Sequence, residues 1–424
     1  MNENLKKSSC FAIIIKTNQL LCERRTYLNH QFPLQLIKAG AIDIHKDKIV
    51  GCILQSGKDA IFKECSSMTK DLYQLKEWFS EHQIHDIVME STGNYWYTLY
   101  SILAESGIQV TLANPALCKQ IPGRKTDMND AHWLCKLLVN GLIKKSFVAD
   151  EEQQYLRDLT RSRLRYTQLV TQAQNRILKI LESCNIKLRS VLSSMSTQSA
   201  MAIVEAIAEG KQDKNYLISL LKGKAKKKAG KMRDALDGRV TSHHQKMIQF
   251  YLEDYKHNEN QIKLIETELS AMLHRSKEQK IESLQKIDGI GKHAAEVIIA
   301  ELGDDMSYFP SADHAASWSG LAPGNAESAA KKRHIKVRQG NPYLRVIMVQ
   351  VAWAASRTKN SYWYASYKAL CNRLPKKKAI VAIARKMIKV VYKTLKTGYE
   401  YQRWTVNDFF EIKKGRRDLG IKTC

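Results

Sequence analysis

The sequence predicts an α/β domain, then a long helical region, then a mainly helical C-terminal domain. Three patterns support this prediction. Short apolar runs alternate with helical periods in residues 39–146, apolar side chains recur in steps of three and four within residues 156–272, and helical periods return after residue 284. With 424 residues, the chain is long enough for two or three domains.

The composition indicates a polyanionic partner. The chain has 68 Lys and Arg against 42 Asp and Glu, a formal net charge of +26, and these cations are interspersed with apolar periodic segments. We therefore expect folded basic surfaces that bind nucleic acid, with an anionic membrane surface as the weaker alternative. Nine scattered cysteines without a Cys-x-x-Cys pair argue against a disulfide framework and a zinc ribbon, and no apolar run approaches 18 residues. The expected location is the cytoplasm, without membrane insertion.

The N-terminal α/β domain is predicted to span residues 39–146, after an extension, residues 1–38, that has no clear period. Its predicted element order is βββαβαβα. The strands are expected at residues 40–46, 48–54, 60–65, 85–90 and 108–113, and the helices at 70–82, at 96–105 and from 127 onward.

Four acids fall at the ends of these elements. Asp43 ends the first strand, Glu90 ends the fourth strand, and Asp127 and Asp130 share one face of the last helix. Taken alone, Asp127 and Asp130 could be an acidic helix start. All four acids together have the layout of an RNase H-like nuclease, in which the carboxylates converge. Such a group could hold two Mg²⁺ ions about 4 Å apart for phosphoryl transfer.

Residues 147–283 are predicted to contain two coiled-coil seams. The first runs from Leu156 to Cys184 and includes Arg163, and the second runs from Met247 to Met272 and includes Asp254 and Asn258. The seams could pair as an antiparallel hairpin or with another protomer, and we favour a contribution to dimerisation. Between them, the basic insert 211–246 contains a lysine run at residues 222–231. Such a run is typical of a solvated loop, and its functional alternative is contact with phosphates.

The C-terminal domain, residues 284–400, begins with the turn Gly289-Ile-Gly291-Lys292 before an Ala-rich helix. This turn resembles a helix-hairpin-helix that holds a phosphate, although a plain helix-joining turn fits equally well. Further on, Ser328 precedes a dense set of cations. A serine that attacks phosphorus needs such charges, but the default role of a serine there is a hydrogen bond to phosphate. Helices at 346–356 and 379–396 would support the domain, and a basic tail, residues 401–424, follows.

The candidate nucleic-acid contacts are the basic residues, glycines and amide in these turns. They are Arg124, Lys125, Gly289, Gly291, Lys292, Lys331, Lys332, Arg333, Lys336, Arg338, Asn341 and Arg345.

Several motifs in a fixed order give the chain a family resemblance. They are Ile42-Asp-Ile-His-Lys46, Glu90-Ser-Thr-Gly-Asn-Tyr-Trp96, Arg124-Lys-Thr-Asp-Met-Asn-Asp-Ala131, Gly289-Ile-Gly291, Gly320-Leu-Ala-Pro-Gly324, Glu327-Ser328 and Gly340-Asn-Pro-Tyr-Leu-Arg345. Over residues 39–400, the chain resembles the DEDD-type transposases of insertion-sequence family 110. It departs from them at Ala329-Ala330, where a glycine often follows the serine, and in its long N-terminal extension.

The resemblance implies a RuvC-like metal site at Asp43, Glu90, Asp127 and Asp130. It also implies that Ser328 is the nucleophile of a C-terminal transposase domain and forms a covalent 5′-phosphoserine link to cleaved DNA. Members of this family are similar in using a structured non-coding bridge RNA that pairs with target and donor DNA. They are expected to act as dimers and tetramers, in which the serine of one protomer completes the metal site of another.

Two alternatives remain at this stage. One is a RuvC-like junction-resolving endonuclease in which water attacks and Ser328 only binds phosphate. The other is a non-catalytic, basic, coiled-coil protein that binds nucleic acid and whose four acids are structural.

Overall fold

The computed structural model describes residues 36–90, 93–113, 127–143, 147–324, 327–328, 331–332 and 340–414, with residues 274–276, 327–328 and 331–332 described by their backbone. Most of the predicted N-terminal extension and the last ten residues of the predicted tail lie outside this range. The chain divides into two compact units, residues 1–148 and 149–424. Among the described residues, no helix has the length and apolar character needed to cross a membrane.

The N-terminal unit is a mixed α/β structure, and its described elements follow the predicted order βββαβαβα. Its elements are β1 (Lys38–Ile44), β2 (Lys48–Gln55), β3 (Ile61–Ser66), α1 (Thr69–Glu81), β4 (Asp86–Glu90), α2 (Trp96–Glu105), β5 (Gln109–Ala113) and α3 (Asp127–Val139).

The described strands of this unit form one five-stranded sheet in the order β3-β2-β1-β4-β5. The first three strands are antiparallel neighbours, whereas β4 runs parallel to β1 and β5 runs parallel to β4. Strand side chains alternate between the two faces of a sheet. One face packs Ile42 and Met89 against α1 and α2, and the other packs Ala41 and Val88 against α3. The second face carries the candidate site.

The second unit begins with a hairpin of two long helices, α4 (Glu151–Ser183) and, later in the chain, α9 (Ser242–Ser276). The helices run antiparallel, because the Tyr155 hydroxyl donates to Glu268 at one end and the Arg176 guanidinium lies over the Tyr251 ring towards the other. The sequence left open whether the two seams pair with each other or with another protomer, and in the structure they pair with each other.

The predicted seam of α9 is wrong in the first half of the helix, where the buried positions lie one residue after the predicted ones. Asp254 is exposed, whereas Ile248, Leu252 and Tyr255 are buried. Ile248 and Leu252 belong to the core of the helical insert described below. Packing against that insert therefore decides which face of α9 is buried here, and a heptad count between two helices could not include it.

Residues 187–240 form a small bundle that we call the helical insert. It contains α5 (Leu188–Val191), α6 (Gln198–Ala208), α7 (Lys214–Ser219), a 3₁₀ turn (Gly223–Lys228) and α8 (Ala229–Ala235). The lysine run 222–231, expected as a loop, is therefore mostly helical. Its lysines are exposed, while Ala225 and Ala229 pack against the insert core and Met232 is buried in it. These apolar contacts explain why the charge pattern alone predicted the wrong backbone state.

The rest of the second unit is mainly helical. Its elements are α10 (Glu278–Gln285), α11 (Lys292–Leu302), a 3₁₀ turn (Met306–Tyr308), α12 (Ala312–Trp318), β6 (Glu327–Ser328), β7 (Lys331–Lys332), α13 (Pro342–Arg357), α14 (Tyr362–Cys371), α15 (Lys376–Thr397) and α16 (Val406–Lys413). Helices α13 and α15 match the predicted helices, and α14 between them was missed. The start of the tail is folded, because Tyr401 and Trp404 are buried and the Tyr401 hydroxyl accepts a hydrogen bond from Trp363 Nε1 at 3.0 Å.

Candidate functional site

Strand register brings Asp43 and Glu90 to the same level of the sheet. In the parallel pair β1–β4, Ile42 lies opposite Met89, so the next residues, Asp43 and Glu90, are neighbours on the adjacent strands. Asp43 and Ala41 are two residues apart in β1, so their side chains lie on the same face of the sheet, and Ala41 packs against α3. Glu90 is in phase with Val88 in the same way, so both carboxylates project from the face that α3 covers.

The first turn of α3 supplies the other two acids. Asp127 and Asp130 stand three residues apart, on the same side as Ala131, which is buried against the sheet. Burial raises the pKa of the Asp43 carboxyl, and the negative charges of Asp130, Asp127 and Glu90 raise it further, while His45 opposes the rise. The other three acids are therefore close enough to act on the Asp43 carboxyl, and we call the four acids the acid cluster.

Two basic side chains that the sequence analysis did not select, those of His45 and Lys48, also belong to this site. His45 Nε2 lies 3.2 Å from Asp43 Oδ2 and 3.5 Å from Asp127 Oδ1. Lys48 Nζ lies 3.4 Å from Asp127 Oδ2 and 2.9 Å from Glu64 Oε1. His45 follows Asp43 at the two-residue spacing of one strand face, a signal that could have identified it, whereas Lys48 reaches the site only through the β1–β2 turn.

The donor set fits a divalent metal ion. Ligand atoms of Asp43, His45 and Asp127 all lie within 4.8 Å of one another. Asp43 Oδ2 is buried and, apart from the ionic contact with His45, has no hydrogen-bond partner within the described part of the chain. A buried carboxylate oxygen without a hydrogen bond is costly unless a cation completes it. Carboxylate oxygens suit Mg²⁺, and the imidazole also makes the site acceptable to softer divalent ions.

The second candidate site is the segment that carries Ser328. Strands β6 and β7 pair antiparallel, and their register places Ser328 opposite Lys331. Lys332 lies opposite Glu327 in the same hairpin. The other predicted cations of this segment, Arg333, Lys336 and Arg338, and also Arg124 and Lys125 before α3, lie outside the described residues.

The two ends of this serine segment, residues 320–340, are packed against each other. The Asn341 backbone N–H donates to the Trp318 carbonyl at 2.8 Å. A Cβ added to Gly340 would stand 2.3 Å from the Gly320 nitrogen, closer than nonbonded atoms can approach. Only glycine at position 340 allows the two chain passages to lie side by side.

A network around a buried carboxylate also holds the C-terminal end of the serine segment. Glu301 on α11 is completely buried, and its carboxylate accepts two hydrogen bonds from Arg161 on α4, at 2.8 and 2.9 Å. The Asn341 side-chain amide also donates to Glu301, at 2.6 Å. Asn341 Oδ1 in turn accepts from the Leu344 N–H and caps α13. The predicted nucleic-acid contact Asn341 therefore has a structural role at the end of the serine segment.

The remaining predicted contacts have mixed environments. Gly289 has a φ of +85°, and an added Cβ would stand 2.6 Å from the Val351 carbonyl oxygen, so packing within the protein requires this glycine. Gly291 is the N-cap of α11, and an added Cβ would meet no described atom within 4 Å. Lys292 is exposed beside it and Arg345 is half-buried on α13.

Comparison with known proteins gives similarities over both units. A family model described as "Transposase", of the DEDD IS110 type, matches residues 41–186. A second, described as "Transposase IS116/IS110/IS902 family", matches residues 281–368. The chain is 22% identical to a Pseudomonas aeruginosa protein named "Probable family 20 transposase" over 330 residues, which are 76% of this chain and 87% of that protein. It is 32% identical to the Sinorhizobium fredii protein named "Putative transposase y4rJ" over 154 residues, 32% of this chain and 38% of that protein.

Proposed function

Because the chain belongs to the IS116/IS110/IS902 family of transposases, to which both matched segments assign it, we propose that it cuts and rejoins DNA strands in two steps. The acid cluster would hold divalent metal, preferably two Mg²⁺ ions, and Ser328 would be the nucleophile. In this proposal the N-terminal unit is an RNase H-like, RuvC-like nuclease domain, which its mixed sheet and the positions of the four acids support.

The observation that carries this proposal is the environment of Asp43. Its carboxylate is buried, has a raised pKa and lacks a hydrogen bond at Oδ2, while three further acids stand around it. A purely structural cluster of this kind would be unfavourable, because like charges raise one another's energy in a partly desolvated site. Bound metal would remove that cost, polarise the scissile phosphate and favour the ionised form of the attacking hydroxyl.

Each residue of the site has a distinct task in this scheme. Asp43, on the face of β1 that α3 covers, would contact metal from the buried side of the site. Asp127 and Asp130 would contact it from the first turn of α3. His45 contacts Asp43 and Asp127, and Lys48 pairs with Asp127 and Glu64. The Lys48 ammonium would also attract a phosphate group to the entrance of the acid cluster.

The covalent step would exchange one phosphodiester for another. The Ser328 hydroxyl oxygen attacks phosphorus, the bond from phosphorus to the 3′ oxygen breaks, and the hydroxyl proton ends on the departing 3′ oxygen. The product is a 5′-phosphoserine ester, and attack by a different 3′ hydroxyl reverses the step and joins new strands. Lys331 is the backbone partner of Ser328 in the hairpin, and in this proposal its ammonium would add positive charge near the reacting group.

Family membership also leads us to propose the partners. A structured non-coding guide RNA would pair with target and donor DNA, and dimers that assemble into tetramers would let the serine of one protomer complete the acid cluster of another. The net charge of +26 suits two nucleic-acid partners. Sequencing of RNA that co-purifies with the protein tests the guide, and random cellular RNA alone would contradict it.

The decisive experiment traps the covalent intermediate on a nicked suicide DNA substrate with Mg²⁺. Wild-type protein should form a protein–DNA adduct, Ser328→Ala should form none, and Ser307→Ala, which removes an exposed hydroxyl of the same unit, should retain it. Free cut ends from Ser328→Ala at the wild-type rate would instead favour the junction-resolving endonuclease, in which water attacks. Cleavage that persists in Asp43→Asn would refute the metal site itself.

A further inference from the structure

The helical insert displays lysines that have no acidic partner. Lys222, Lys224, Lys226, Lys227 and Lys231 are all exposed, and none makes an ion pair with the described residues. No Asp or Glu lies within residues 222–231.

Other lysines in and beside the insert differ from this run. Lys187, Lys211 and Lys214 pair with Glu182, Glu209 and Asp237. On α9, Lys256 pairs with Glu205 of the insert. The lysines of the insert that form no ion pair with described residues thus all lie within residues 222–231, and like charges held together favour an external anion.

The backbone of the lysine run is fixed rather than left to solvent. The Lys222 N–H donates to the Oγ of buried Ser199 at 2.8 Å, and Lys228 Nζ donates to the Val191 carbonyl at 2.7 Å. The side chains of Met232 and Leu221 are buried in the insert core on either side of the run. The other lysines therefore project from a rigid support, which lowers the entropic cost of binding a ligand.

The run borders an open hollow of about 490 Å³ between α5, α6 and the 3₁₀ turn. Its lining includes apolar groups of Val191, Leu192 and Ala225. It also includes the polar side chains of Ser193, Thr197, Gln198, Lys222, Lys224 and Lys228. Hydroxyl, amide and ammonium groups are donors for phosphate oxygens, whereas stacking of unpaired bases needs aromatic rings, and the lining contains none.

We propose that the helical insert binds the phosphate backbone of duplex DNA, as a contact separate from the acid cluster and the serine segment. DNA is the occupant because a transposase acts on it, and the inference rests on the proposed function for that choice. The insert lies between the two segments that match the family models, residues 41–186 and 281–368, so it adds a surface outside them.

The test is fluorescence anisotropy of a labelled DNA duplex with the full chain over a range of KCl concentrations. The variant Lys222/Lys224/Lys226/Lys227→Gln should weaken binding about 10- to 100-fold at roughly 0.1 M salt and lower the slope of log Kd against log salt by about 2 to 4. The matched control Lys187/Lys211/Lys214/Lys256→Gln removes the same charge from ion-paired positions and should change the slope by less than about 1.

Four further measurements make the result unambiguous. Replacement of the same four lysines of the run by Arg should restore binding, and the melting temperatures of both Gln variants should stay near that of the wild type because the side chains are exposed. Equal slopes for the run variant and the control would overturn the proposal. A loss of affinity for an RNA duplex of equal length, with DNA binding unchanged, would overturn it as well. Asp43→Asn should keep the wild-type salt slope, so failure of the metal site and failure of the insert are distinguishable.

Discussion

In the N-terminal unit, the candidate metal ligands stand on two adjacent strands and at the start of a helix, whereas in the C-terminal unit Ser328 stands on a two-residue strand. The acids are positioned by strand register and by the apolar layer between the sheet and α3. The serine segment is positioned at its ends, by the contact of Gly340 with Gly320 and by the buried Glu301 network.

This difference implies different sensitivities to substitution. Changes in the acid cluster should affect chemistry and metal binding while the fold persists, because regular elements hold the backbone. Changes at the ends of the serine segment should affect stability and adduct formation together, because distant side chains hold that segment.

The largest effect is expected for Asp43→Asn. It removes the buried metal ligand and should lower Mg²⁺-dependent DNA cleavage at least about 1,000-fold, equivalent to roughly 4 kcal/mol or more of transition-state stabilisation. The measurement is single-turnover cleavage, with Asp47→Asn in the exposed turn as the control. Equal losses in both variants would show that general charge reduction, rather than metal ligation, explains the change.

Glu301→Ala should be the most destabilising change in the C-terminal unit. It leaves the Arg161 guanidinium without its carboxylate and Asn341 without its acceptor, and removal of one partner of a buried ion pair costs about 3–5 kcal/mol. Urea unfolding measures this free energy, and adduct yield on suicide DNA measures the serine segment. A stable variant with normal adduct yield would mean that the segment is positioned by other contacts.

Two glycine substitutions compare a closely packed glycine at the end of the serine segment with an unobstructed glycine in the turn before α11. Gly340→Ala places a Cβ against the backbone of Gly320 and should reduce the free energy of unfolding by about 1–3 kcal/mol and lower adduct yield. Gly291→Ala enters open space and should reduce the free energy of unfolding by only about 0.5 kcal/mol, the difference between Gly and Ala at an N-cap. The same denaturation assay serves both variants, and equal effects would contradict the close contact.

The smallest effect concerns pH. Because the folded-state pKa of Asp43 is raised above 3.8, ionisation of this carboxyl destabilises the metal-free fold, and the loss develops as pH rises from 3.8 through the folded pKa. Asp43→Asn should therefore melt roughly 2–4 °C higher than wild type at pH 7 in chelator, with the difference vanishing towards pH 3. Thermal melts across that pH range check the sign. A variant that melts lower at neutral pH would show that Asp43 is stabilised by its neighbours.

Much of the N-terminal fold could be predicted because its signals are local. Apolar runs bounded by polar turns defined all five described strands, and the helix predicted at residues 96–105 has the observed bounds. The four acids were found because they stand at element ends. In the second unit, by contrast, the lysine run indicated a loop, the seam of α9 was displaced and α14 was missed, since contacts with other helices decide which residues are buried there.

The sequence by itself determined the order of the elements, the positions of the acids and the excess of positive charge, because periodicity and composition are properties of neighbouring residues. Only the tertiary structure decided that His45 and Lys48 lie beside the acid cluster, that the buried Glu301 pairs with Arg161, and that the lysine run faces solvent from a folded insert. The physical reason is distance along the chain. Arg161 and Glu301 are 140 residues apart, and the cost of burying a charge is met only by a partner that the fold brings to it.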